Sequence, residues 1–224
     1  ISISADGTRL AVGSPRTSNA SQQHMGMVQL YLIGTGQIGL EIPGLDENDL
    51  FGSAVALSED GTTVAIGALT GASGAGYARI FRQSGHSWNQ IGQTIEGQQP
   101  GDNLGRSISI SADGQTVAIG AFQADAGTGA GYVQVYHFDE RTWTQIGADI
   151  IGPNDGDRFG LSVALTPDAT FLTVGANAHD SGGFIKNGLV QTYENQNGTW
   201  TKIGGDIVGN VDNRNLGIGL AISS

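Results

Sequence analysis

Cysteine is absent from this chain of 224 residues, which excludes disulfides and thiolate metal ligands and leaves the redox compartment unread. Charge is scarce too: Asp, Glu, Lys and Arg make up 14% of the residues, with 10 basic side chains against 21 acidic ones. A net charge of −11 argues against nucleic acid and anionic membrane surfaces as partners, because phosphates need basic protein surface. No apolar run approaches the roughly 20 residues of a membrane-crossing helix, so no membrane insertion is expected. The chain does not open on Met and shows no signal peptide, which reads as a processed or excised piece of a longer product. Proline is also sparse, at 5 residues; glycine, at 37, is not.

What fills the chain is a repeat of about 55 residues. Its turn, Ser58-Glu59-Asp60-Gly61, recurs as Ser111-Ala112-Asp113-Gly114 and Thr166-Pro167-Asp168-Ala169, and the chain opens on Ser4-Ala5-Asp6-Gly7. The four aspartates stand 54, 53 and 55 residues apart. A second marker, Gln37-Ile38-Gly39, returns at Gln90, Gln145 and, with lysine, at Lys202. The repeats run approximately over 1–50, 51–103, 104–158 and 159–215, with 216–224 starting a further one. Together they form a single domain over 1–224, or part of one.

Within a repeat, period-two alternation predicts strands. Residues 53–57 and 63–67 flank the Asp-Gly turn, 77–81 follow a Gly/Ala loop, and 88–91 close the unit after a turn at Ser84-Gly85. Large residues such as Val55 and Leu57 alternate with small ones such as Ala54 and Ala56, so neighbouring sheets can nest on both faces. The predicted fold is all-β: a β-propeller of four-stranded antiparallel blades, four repeats being present. The first strand occurs five times when 1–4 and 216–224 are both counted, which favours a window cut from a larger ring. Trp88, Trp143 and Trp200 share one position in the fourth strand and read as packing residues at the blade rim.

These residues resemble the FG-GAP repeat of integrin α-subunit propellers and microbial surface proteins. The FG element is Phe51-Gly52 and Phe159-Gly160, with Leu104-Gly105 and Leu216-Gly217 as variants. The GAP element is Gly67-Ala68, Gly120-Ala121 and Gly175-Ala176, with Gly13-Ser14-Pro15 nearest the full form. The resemblance implies an integrin-like propeller in cell adhesion. It does not carry calcium with it: each turn offers a single Asp, where calcium takes six to eight oxygens. Asp6, Asp60, Asp113 and Asp168 therefore read as turn residues, and no metal or cofactor is expected.

Candidate ligand-binding residues lie in the loops. Asp49, Asp102 and Asp157 share one register in the inter-blade links, where Arg214 breaks it. They read either as an acidic rim for a cation or a basic partner, or as caps on backbone amides. Asp125 and Asp180 occupy matching positions in the variable second-to-third loops. His179 beside Asp180 reads as an exposed loop histidine, with a ligand or a base as the alternative. His24, His86 and His137 fall at unrelated positions, and no catalytic set converges. Asn19 and Asn197 head glycosylation triplets. The expectation is a non-catalytic scaffold, extracellular or at the cell surface, that binds other proteins or copies of itself through blade faces and loops. A glycan-binding, lectin-like propeller is the alternative, and no enzymatic role is expected.

Overall fold

The computed structural model describes residues 1–18, 23–71, 73–122 and 129–223. They form four antiparallel sheets in chain order, with no helix among the described residues. The first sheet holds β1 (Ser2–Ile3), β2 (Arg9–Ser14), β3 (Met27–Leu32), β4 (Gly36–Gln37) and β5 (Ile42–Pro43). The second holds β6 (Phe51–Leu57), β7 (Thr63–Ala68), β8 (Tyr77–Ser84), β9 (Ser87–Gln90) and β10 (Ile95–Glu96). The third holds β11 (Leu104–Ile110), β12 (Thr116–Ala121), β13 (Tyr132–Phe138), β14 (Trp143–Gln145) and β15 (Ile150–Ile151). The fourth holds β16 (Phe159–Leu165), β17 (Phe171–Ala176), β18 (Leu189–Gln196) and β19 (Thr199–Val208).

Each sheet is a four-stranded propeller blade whose outermost strand is interrupted in three cases. In the second blade β9 pairs with Phe81–Ser84 of β8 and β10 with Tyr77 and Ala78, along the same edge. The glycine of the Gln-Ile-Gly marker lies at the break, and Gly92 has φ +66°. In the fourth blade one continuous β19 spans the whole edge, with a register shift between Val190 and Thr192.

The turns behave as their sequence implies. Asp60 Oδ1 accepts hydrogen bonds from Ser58 Oγ (2.7 Å) and the Thr62 amide (2.9 Å). Asp113 and Asp168 repeat the pattern through Ser111 and Gln115, and through Thr166 and Thr170. The turns are also tied to one another. The Ala5 amide donates to Glu59 O, the Glu59 amide to Ala112 O, and the Ala112 amide to Pro167 O, at 2.8–3.1 Å.

Blade-to-blade packing explains the paired glycines. Gly52, Gly105 and Gly160 sit at β-bulges that open β6, β11 and β16, with φ between +85° and +91°. Their carbonyl oxygens press against the second strand of the preceding blade. A Cβ on Gly67 would lie 2.1 Å from Gly105 O, and one on Gly120 2.0 Å from Gly160 O. Gly217 meets Gly175 in the same way, so residues 216–217 dock on the fourth blade as the next unit would. The glycines are fixed by this close approach of two backbones.

Burial is greatest at the second strands, where every residue of β7 and β12 is buried. Phe51, Phe159, Ile66, Ile119 and Leu172 are among the largest fully enclosed side chains, each worth about 1.5–3 kcal/mol on burial. Two of the first strands, β6 and β11, are less enclosed than the nesting pattern predicts. Val55, Ala56 and Ile108 are half-buried and, with Ile222, border an open space between the first strands. The tryptophans latch adjacent blades: Trp88 Nε1 donates to Ile38 O (3.2 Å) and Trp143 Nε1 to Ile91 O (2.9 Å). Trp200 packs beside Gly147, with its Nε1 buried and unpartnered.

Candidate functional site

The links that lead into the second, third and fourth blades each bring an aspartate to the end of the blade opposite the tight turns. Asp49 is fully buried, and its Oδ2 accepts the amides of Leu45 (2.9 Å) and Asp46 (2.8 Å) and the Tyr77 hydroxyl (2.6 Å). Asp102 repeats this with the amides of Gln98 and Gln99 and with Tyr132 Oη at 2.6 Å. Burial, followed by the hydrogen bond to the carboxylate, pushes both tyrosine hydroxyls well above their ordinary range. In these two blades the carboxylate caps its own loop and ties it to the third strand.

The fourth blade departs from that plan at two positions at once. Pro153 stands where Leu45 and Gln98 supply an amide, and proline has no N–H to give. Leu189 stands where Tyr77 and Tyr132 supply a hydroxyl. Asp157 thereby loses two of its donors and is engaged by His179, whose Nδ1 lies 2.6 Å from Asp157 Oδ2. Asn154 Nδ2 also donates to Asp157 Oδ2 at 3.1 Å. Both members of the pair are buried, with side chains 10% and 6% exposed. His179 is therefore not the exposed loop histidine expected from its neighbours in sequence.

The pair orients the imidazole. In the neutral ring, a carboxylate at Nδ1 holds the proton there and leaves the Nε2 lone pair as an acceptor. Nε2 has no hydrogen-bond partner among the described residues and is not sealed from solvent. A neutral imidazole so oriented can take a proton from water and return it to a leaving group.

The other predicted residues do not join this pair. Asp180 closes its own loop, its Oδ1 accepting the Lys186 amide at 2.6 Å. Asp125 and Asn19 lie outside the described residues. Asn197 is exposed in the β18–β19 hairpin with φ +55°. Among the described residues no three His, Asp or Glu side chains gather closely enough to hold a metal ion.

No family model and no curated protein matches the sequence. The fold does match solved structures. A candidate 6-phosphogluconolactonase from Bacteroides fragilis superposes with a TM-score of 0.64 at 17% identity. The alignment covers 97% of this chain and 55% of that one, so the chain spans about half of its neighbour's length. At that identity the shared property is the fold. The likeness is to a protein described as an enzyme, which corrects the expectations of an FG-GAP, integrin-like family, of a non-catalytic adhesion or structural scaffold, of its lectin-like alternative and of no enzymatic role. The physical reason lies in the motif. The FG and GA glycines answer to a steric contact between consecutive blades, so they report how the blades pack and carry no information about adhesion.

Proposed function

We propose that this chain supplies four blades of a propeller enzyme that opens a sugar lactone by hydrolysis, with His179 as the general base. The reading rests on the likeness to a candidate lactonase over nearly the whole chain. Locally it draws support from the Asp157–His179 pair, the one place among the described residues where a carboxylate orients an imidazole.

In the proposed step His179 Nε2 takes a proton from water as the oxygen attacks the lactone carbonyl carbon. The ring ester C–O bond then breaks, and the departing oxygen takes the proton back from the imidazolium. Lactone and water give the open hydroxy acid, with no net change at the histidine. Asp157 stabilises the imidazolium without accepting its proton. General-base catalysis of this kind contributes about 10²–10⁴-fold.

The test follows acid release from glucono-δ-lactone and from its 6-phosphate with a pH indicator. The full chain should accelerate ring opening over the spontaneous rate. His179→Gln should lose about 10²-fold or more while keeping the parent unfolding midpoint, and Asp180→Asn should change nothing. Hydrolysis no faster than in buffer, or full activity in His179→Gln, sinks the reading.

A further inference from the structure

Three blades share a polar relay on their outer strands that the second blade lacks. Tyr31 Oη donates to Gln29 Oε1, and Gln29 Nε2 donates to Glu41 at 2.7 Å. Tyr136, Gln134 and Asp149 repeat this in the third blade, and Tyr193, Gln191 and Asp206 in the fourth. At the equivalent positions the second blade carries Phe81, Arg79 and Thr94. The amide has become a guanidinium, while the carboxylate and the phenol hydroxyl have both disappeared.

Arg79 is held as though for a partner. Its Nε donates to Gln90 Oε1 at 2.8 Å and its Nη1 to Pro43 O at 3.3 Å. Its Cζ lies over the Phe81 ring, 4.8 Å from the centroid, and 5.6 Å from that of Phe51. No carboxylate of a described residue comes within ion-pair distance, and Nη2 has no hydrogen-bond partner among them. The guanidinium borders a groove of about 450 Å³ between the first and second blades, a size that accommodates a small ligand.

Two side chains distinguish this gap from the next one. Between the second and third blades, Gln93 bonds both the amide and the carbonyl of Trp143, and Gln98 reaches Asp149. Leu40 and Leu45 replace these glutamines in the first gap and make no such bridge; Leu40 is 85% exposed. Glu41 also lines the groove, but its carboxylate is engaged by Gln29. His86 and Trp88 form the opposite wall.

We infer that this groove binds a small hydroxylated carboxylate, such as an aldonic acid, through the Arg79 guanidinium. The ligand carboxylate takes the place that Glu41, Asp149 and Asp206 hold in the other blades, and its hydroxyls replace the missing phenol. A planar guanidinium suits this role because it can meet both carboxylate oxygens.

The test is a calorimetric titration of the full chain with gluconate, glucose and inorganic phosphate. Gluconate should bind saturably and glucose should not. Arg79→Gln, which restores the residue of the other blades, should weaken gluconate binding roughly tenfold or more. Thr94→Asp should do the same by placing a carboxylate of the chain itself beside Arg79, with an unfolding midpoint no lower than the parent's. That outcome separates lost binding from lost structure. Asp180→Asn, outside both sites, should leave gluconate binding unchanged; binding is read by calorimetry and ring opening by acid release, so lactone hydrolysis and this groove fail or stand separately. The inference is overturned by no saturable gluconate binding, by undiminished binding in Arg79→Gln, by phosphate binding as tightly as gluconate, or by loss of binding in Asp180→Asn.

Discussion

Replacing Gly120 with alanine probes how the blades are held together. The new Cβ would lie 2.0 Å from the Gly160 carbonyl oxygen and 2.4 Å from Ser107 Oγ, where contacts under 3.0 Å are essentially never found. The nearer obstacle is backbone and cannot rotate away, so the next blade must retreat by about 1 Å, with repacking of the kind that costs about 1–3 kcal/mol. The retreat also strains the hydrogen bond from Ser107 Oγ to Gly160 O, now 2.8 Å long, a loss of about 1 kcal/mol. The sum is about 2–4 kcal/mol. Gly85 supplies the contrast: its φ is +61°, but nothing lies within 4 Å of a Cβ built there. Alanine at Gly85 should cost only the left-handed backbone penalty, about 1–2 kcal/mol. Urea unfolding followed by tryptophan fluorescence measures both, and an unchanged denaturant slope would confine the effect to stability. If Gly120→Ala proves no more damaging than Gly85→Ala, the steric account of the repeated glycines is wrong.

Two further predictions concern carboxylates. Asp49→Ala strips an acceptor from two amides and from the Tyr77 hydroxyl in a fully buried place, and should destabilise by about 2–4 kcal/mol; Tyr77→Phe should cost about 1 kcal/mol, and equal losses in the two variants would contradict the assigned geometry. At the turns, the Thr166 hydroxyl and the Thr170 amide hold the Asp168 carboxyl down to about 2, and Ser4 and Thr8 do the same for Asp6. A folded-state value below the unfolded one adds stability that is complete above about pH 4. That contribution disappears as the pH falls through about 2. NMR titration of the Asp168 carboxyl should give a midpoint near that value, and Asp168→Asn should flatten the acid limb of the stability curve.

Much of the architecture was legible because it is written locally and four times over. The Asp turn, the period-two strands and the fixed spacing each encode one hairpin, and repetition separates them from chance. The interruption of the outer strand was not legible, since Gln-Ile-Gly reads equally well as strand or bulge until its pairing with the third strand is seen. The Asp157–His179 contact escaped for a different reason. It depends on two subtractions, the missing amide at Pro153 and the missing hydroxyl at Leu189, and absences weigh little when one repeat is read alone. Aligning the four repeats residue by residue exposes both of them, along with the Arg79, Phe81 and Thr94 departures. The glycine pairs were plain in the sequence but were read as a family signature, when their spacing follows from two backbones in contact.

The amide relay linking the tight turns has a direction and a terminus. Each turn hands one hydrogen to the next, from Ala5 through Glu59 and Ala112, and the sequence stops at Pro167, whose ring nitrogen has none to pass on. A leaf following the fourth would be moored at its glycine contact but not at this end. The seam beyond Pro167 would lack the amide tie that joins the other turns, beside the blade that carries the histidine.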